Sequence, residues 1–321
     1  MKRAWASVWT AVAAVGVSMG AAAAEYPERP ITVTNPNSAG GGTDVGIRTW
    51  QPYVEACLGD GAALVPVALP GAASAVGIAE LGRAKPDGYT VGVTNMPNLV
   101  SNRLARGGNL PTIDDFVYLG TIVGVRSTFN VRKDSALRTF DEAVAYIKSK
   151  PGPLNVGMGG IGADDHLVGL QLERLLGADF NFIPFGSGAD ARNALLGGQV
   201  EFSMMSNTEA AGFRDEVRPL AVAATSRTDL FPDVPTFAEK GYNLVGGSTH
   251  VISAPKGFPE DALAEWRGCL TRISADPKFL ADAKTRSLSL NIMDGAQTEV
   301  FVREQARLLT ELWQSDPWIK Q

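Results

Sequence analysis

The sequence predicts an α/β fold in two units, each a mostly parallel sheet flanked by helices, with a ligand cleft between them. Three observations carry this. Short β-branched runs alternate with helical patterns in two successive sets, and glycine-rich turns sit where strands hand over to helices. Once an export leader is set aside, about 297 of the 321 residues remain, enough for two hydrophobic cores.

The leader comes first. Met1-Lys2-Arg3 supplies a positive start, Ala4 to Met19 a mostly apolar stretch, and Ala21–Ala24 small residues before Glu25-Tyr26-Pro27, the pattern of a cleavable signal peptide over residues 1–24. The alternative, an uncleaved anchor, is disfavoured because Gly16, Ser18 and Gly20 break the run short of the ~20 apolar residues a spanning helix needs. The first β/α set then reads Ile31–Thr34 strand, Thr43–Leu58 helix, Leu64–Leu69 strand, Ser74–Arg83 helix and Tyr89–Thr94 strand. A connecting region around Val117–Thr128 leads to the second set. There Asp141–Lys150, His166–Leu176 and Asp190–Leu196 read as helices, and Leu154–Val156, Phe180–Phe185, Val200–Met204 and Leu220–Ala224 as strands. From Pro255 the pattern is helical, with Glu260–Ile273, Pro277–Arg286 and Thr298–Trp313 as the candidates.

Charge narrows the function. Removing Lys2 and Arg3 with the leader leaves 27 of the 29 basic residues against 34 acidic ones, a net −7, which argues against nucleic acid or an anionic membrane surface as partner. Cys57 and Cys269 stand far apart in sequence, and in an exported chain they are either one disulfide or two separate buried thiols.

In open α/β sheets, ligands bind beyond the carboxyl ends of strands, where helix N-termini present free N–H groups. Asn37-Ser38-Ala39-Gly40-Gly41-Gly42-Thr43-Asp44 lies between the first strand and the first helix. Three consecutive glycines exceed what a plain turn requires, so the segment reads as a binding loop with Thr43 or Asp44 as cap. Its counterpart in the second set is Gly157–Gly162, followed by Ala163-Asp164-Asp165-His166. This formally matches the G-x-G-x-x-G dinucleotide fingerprint, but the next strand ends in Pro184-Phe185-Gly186-Ser187 and offers no acidic ribose partner, so no cofactor is expected. Asp164 and Asp165 read as helix-opening acids and not as metal ligands. The binding residues expected from these loops are Asn37, Ser38, Ala39, Gly40, Gly41, Thr43, Asp44, Gly159, Gly160, Ala163, Asp164 and His166. Asn95, Ser187, Ser206 and His250 join them from other strand ends. His166 and His250 are the chain's two histidines, and His166 can place an imidazole donor beside a carboxylate.

No catalytic constellation emerges. Ser187 lies between glycines, but Phe185 spoils the nucleophile elbow, and neither H-E-x-x-H nor a Walker loop is present. The chain is therefore expected to bind rather than to catalyse. A secreted α/β hydrolase-like enzyme and a sensing receptor for a membrane kinase stand as the rival readings.

Six segments together resemble one family: Tyr26-Pro27-Glu28-Arg29-Pro30-Ile31, Ala39–Asp44, Lys85-Pro86-Asp87-Gly88-Tyr89-Thr90, Leu195–Val200, Asp233-Val234-Pro235-Thr236 and Ala254-Pro255-Lys256-Gly257. In this order they are similar to the solute-binding receptors of tripartite tricarboxylate transporters, the Bug receptors. The resemblance implies a two-lobed, type II-like periplasmic binding protein that closes like a Venus flytrap. Lobe I would comprise residues 25–125 and 250–321, and lobe II residues 126–249. It further implies that backbone N–H groups of Ser38–Asp44 and Gly159–His166, with bridging waters, hold a ligand carboxylate. Cys57 and Cys269 would share a lobe, which favours their pairing. The partners implied are a small organic acid or amino-acid-like ligand and the integral membrane permease subunits, with the receptor itself a monomer. Two departures bear on the ligand. The family commonly has an aromatic residue where this chain has Asn37, and serines where it has Ala163-Asp164-Asp165. Carboxylates beside an anion site repel a second carboxylate or accept from a donor, so the expected ligand carries a donor group as well.

Overall fold

The computed structural model describes residues 26–315 and 317–319; the signal-peptide expectation over 1–24 lies outside them. The first β/α set folds as β1 (Ile31–Asn35), α1 (Gly42–Leu58), β2 (Leu64–Ala68), α2 (Ala75–Arg83), β3 (Thr90–Met96) and α3 (Asn98–Arg106). A long strand, β4 (Phe116–Arg132), follows. The second set is α4 (Phe140–Ser149), β5 (Leu154–Met158), α5 (Asp164–Leu176), β6 (Phe180–Pro184), α6 (Gly188–Leu196), β7 (Phe202–Ser206), α7 (Asn207–Gly212) and β8 (Val217–Val222). The chain returns through β9 (Gly247–Pro255) to α8 (Glu260–Ser274), α9 (Pro277–Thr285), β10 (Leu290–Asp294) and α10 (Gly295–Ser315).

Each half contains the parallel unit that the alternating pattern predicts. β1 pairs in parallel with β2 and β3, and β5 with β6 and β7. The returning strands add antiparallel pairs: β9 lies between β3 and β4, β10 joins the first half of β4, and β7 and β8 flank its second half. Each half is thus a mixed sheet built around a parallel core.

The region expected to be a connector, Val117–Thr128, is instead part of the 17-residue strand β4. Almost every residue of β4 is buried, so it lacks the two-residue alternation by which a half-exposed strand is recognised. Gly120 and Gly124 interrupt it further, and the register shifts between Tyr118 and Gly120. Phe116–Arg126 pair with β9 in the first half, while Ser127–Arg132 pair with β7 and β8 in the second. Beside this change of partner, Arg126 lies opposite Gly247 and the Ser127 N–H donates to the Gly246 carbonyl at 3.1 Å. Two adjacent strands therefore carry the chain between the halves.

Each half has a main core of its own. Trp50 and Trp266 meet edge to face in the first half, with Phe258 and Phe279 in the same cluster. In the second, Phe129 stacks on Phe202 with centroids 4.7 Å apart, beside Phe140, Phe180 and Phe237. Cys57 at the end of α1 and Cys269 in α8 form a disulfide with Cα atoms 5.6 Å apart, as the shared-lobe reading favours. Among the described residues no helix is long and apolar enough to cross a membrane.

Candidate functional site: a cavity at the converging helix N-termini

The carboxyl ends of β1, β3, β5, β6 and β7 face one another across the junction of the halves, so α1, α3, α5, α6 and α7 all begin there. Between them lies a cavity of about 70 Å³.

The first loop is held by its own side chains. Asn35 Oδ1 accepts the Asn37 N–H at 3.0 Å, and Asn37 in turn donates to Thr43 Oγ1 at 2.8 Å and accepts from Ser74 Oγ at 3.0 Å. Gly41 occupies the cap position of α1 without a side chain to satisfy the helix, and among the described residues no acceptor meets the Gly42 or Thr43 N–H. In the second loop, by contrast, several N–H groups are spent internally. Asp165 accepts the N–H groups of Gly159 and of His166, His166 accepts that of Gly162, and Ser127 Oγ donates to Asp164 at 3.4 Å. Ser187 and Ser206 cap α6 and α7.

Ten of the expected residues line the cavity: Asn37, Gly41, Thr43, Asn95, Gly159, Ala163, Asp164, Ser187, Ser206 and His250. Six do not. Ala39 and Gly40 are exposed, because the loop turns outward at Gly40 (φ +77°) before α1 begins. Asp44 points back to close the loop, accepting from the Gly40 N–H and from Arg48. Ser38 lies at the rim, where it receives a hydrogen bond from Ser187 at 2.9 Å and donates to Asp190 at 3.2 Å, joining the halves. Gly160 packs against Ala73. His166 faces away from the cavity; its Nδ1 accepts the Gly162 N–H at 3.0 Å and its ring meets the edge of Phe182.

Four polar lining residues were not anticipated: Asn98, Asp165, Glu209 and Ser248. Glu209 carried a readable signal, since Ser206 and Glu209 have the S-x-x-E spacing of a capping box, and the Glu209 N–H does donate to Ser206 at 3.1 Å. Its partner Arg192, in α6, has no counterpart signal; the two pair at 2.8 Å, with only 8% and 5% of their side chains exposed.

The lining holds three carboxylates and no lysine or arginine. Burial pushes Asp164 up to about 6 and Glu209 up to about 7, the latter opposed by Arg192. Asp165 is raised well above its ordinary value by burial and then by Asp164. Burial lowers both histidines to about 4, which keeps His250 neutral beside Thr43.

This geometry, with two α/β halves and a polar cavity at their junction, agrees with the comparisons. The profile of the tripartite tricarboxylate transporter family receptors, TctC, matches residues 61–315. The chain belongs to this receptor family. A UPF0065 protein from the gbd 5′ region of Cupriavidus necator is 30% identical over 310 residues, covering 94% of this chain and 93% of that one. The solved structure of the periplasmic binding protein BugD is 29% identical with a TM-score of 0.84, covering 92% of this receptor and all of that chain. MatC from Rhodopseudomonas palustris, solved with bound malate, shares the fold at 24% identity and a TM-score of 0.80, covering 89% of this receptor and 99% of MatC. Proteins of this family are periplasmic solute-binding receptors, and the receptor is accordingly not an enzyme.

Proposed function

We propose that this receptor captures a small carboxylate-containing metabolite in the periplasm and presents it to the integral membrane permease subunits of a tripartite tricarboxylate-type transporter. The observation that carries the reading is the start of α1, where Gly41 leaves the Gly42 and Thr43 N–H groups without a protein acceptor at the wall of the cavity. Unspent N–H groups at a helix N-terminus attract an anion by both hydrogen bonding and the helix dipole. The small cavity suits a compact metabolite, and an acid of this kind leaves the protein's own carboxylates to be matched by the rest of the ligand.

In this reading the leader over 1–24 directs export, lobe I is 25–125 with 250–321, and lobe II is 126–249. The change of partners along β4 supports that division. The lobes hinge where Arg126–Ser127 runs beside Gly246–Gly247, and Ser38, Ser187 and Asp190 latch the rim when they close. The receptor works as a monomer, since one chain supplies both walls of the cavity.

Native mass spectrometry of the receptor purified from its exported form tests this reading, followed by calorimetry with whatever acid is released. A stoichiometric small acid is the expected result. A bound solute without an acidic group would refute the carboxylate assignment, and turnover of the solute would refute the receptor.

A further inference from the structure

Resting on the carboxylate reading above, we propose that the ligand is an amino carboxylate: its carboxylate lies at the α1 start, and an ammonium lies against Asp164 and Asn98.

The two walls of the cavity offer opposite chemistry. At the start of α5 the Asp165 carboxyl takes the N–H groups of Gly159 and His166, and the Asp164 carboxylate stands beside it, accepting from Ser127. A carboxylate tethered at a helix N-terminus repels a ligand carboxylate where an empty start would attract it. The donors left for an anion are those of Gly42 and Thr43 on α1, which have no acceptor among the described residues; the α6 start lies against Glu209, whose Oε2 is 3.0 Å from where a Gly188 Cβ would stand.

An unpartnered side-chain atom gives independent support. Asn98 is 4% exposed, and its Nδ2 donates to the Ala73 carbonyl at 3.1 Å and to Ser74 at 3.3 Å. A carbonyl accepts only from a donor, so the amide orientation is fixed and Oδ1 is the free end. That oxygen has no partner, and the Asn98 side chain lines the cavity. A buried acceptor oxygen without a donor, on the same cavity as the Asp164 carboxylate, matches the N–H groups of an ammonium. A second carboxylate brings no donor to either of them. Arg192 is committed to Glu209 and does not line the cavity, so no protein cation competes for the place.

The test is calorimetry on the purified receptor at about pH 7.5 with matched short straight-chain acids, each as the plain monocarboxylate, the hydroxy acid, the amino acid and the dicarboxylate. At matched length, an amino carboxylate is expected to bind roughly tenfold or more tighter than the plain acid and the dicarboxylate. Asp164→Asn should remove most of that preference while improving dicarboxylate binding. A dicarboxylate or plain acid that binds wild type best overturns the inference and leaves the carboxylate receptor standing, as does a hydroxy acid that outranks its amino counterpart. Binding of simple amines, with no acid in the panel bound, overturns the carboxylate reading itself. An Asp164→Asn variant that melts like wild type and keeps the full amino preference overturns the role given to Asp164.

Discussion

Replacing Arg192 by methionine removes the guanidinium that faces Glu209 at 2.8 Å, while keeping a long side chain against the Phe213 ring. Glu209 is then a buried carboxylate without its counter-ion. Its folded-state pKa is already raised from 4.5 to about 7 by burial, with Arg192 the strongest opposing influence, so the variant moves it higher. A raised acid contributes stability that is complete below its unfolded pKa and is lost as pH rises through the folded one. Below about pH 7, Glu209 carries its proton in both folded proteins, and the substitution costs only lost packing and the guanidinium's hydrogen bond to an uncharged carboxyl, about 1–2 kcal/mol. Above pH 7 wild type has finished titrating and the variant has not. Its penalty then grows by about 1.4 kcal/mol per pH unit, toward the 3–5 kcal/mol typical of a broken buried pair. Between about pH 6 and about pH 9 the variant's melting point should fall a further ~5 °C relative to wild type, at about 2 °C per kcal/mol. Thermal melts at both pH values measure this, and Arg192→Met with Glu209→Gln should abolish the pH dependence. A depression of equal size at both pH values, or one that survives Glu209→Gln, would refute the assignment of Arg192 as the group that keeps Glu209 ionised.

Replacing Cys57 and Cys269 together by serine opens a cross-link between residues 212 positions apart and should cost up to about 5 kcal/mol in urea unfolding, on loop entropy. Cys57 stands about 22 Å along α1 from Gly42, so ligand affinity should be unchanged; a large loss of affinity would contradict the placement of the site. Gly247→Ala sets a Cβ into the Val125 carbonyl at φ +156°, and about 1–3 kcal/mol of destabilisation by urea titration is expected. A neutral Gly247→Ala would show that the two crossing strands separate freely there. His166 and His250, lowered to about 4, contribute stability that is full above about pH 6.5 and is lost as the pH falls toward 4. Their NMR imidazole shifts should still be those of neutral rings at about pH 5.5, and a midpoint near 6.5 for either ring would contradict its burial.

The parts of the fold legible in the sequence were those in which one face meets solvent. The helices were readable because their apolar residues recur at helical spacing: α1 and α8 were anticipated to within a residue at either end. β4 was not, since it is buried on both faces and periodicity is lost when there is no solvent side to mark. β10 escaped for the opposite reason. Its five residues, Leu290–Asp294, lie between two helices and alternate exposed with half-buried positions, leaving exposed Leu290 and Ile292 where an edge strand normally shows polar groups. The antiparallel pairs that make the sheets mixed all involve β4 or β9, neither of which the sequence pattern marked as a strand.

The site was legible where chemistry is local and illegible where it depends on what the chain brings back. Glycine runs at strand ends mark the loops, and they led to Gly41, Thr43, Gly159 and Ala163 at the cavity wall. Which backbone donors remain free cannot be read from those runs, because that is decided by a neighbouring side chain. Asp44 and Asp165 sit at similar places in the two loops, each accepting a loop N–H, yet only Asp165 also lines the cavity. Asp44 closes its loop outward with Arg48, leaving the N–H groups of Gly42 and Thr43 unspent, whereas Asp165, beside Asp164, has no such cation. The same residue type thus leaves the Gly42 and Thr43 N–H groups of one helix start open and takes up those of Gly159 and His166 at the other. The asymmetry between the two walls follows from where each aspartate finds its partner.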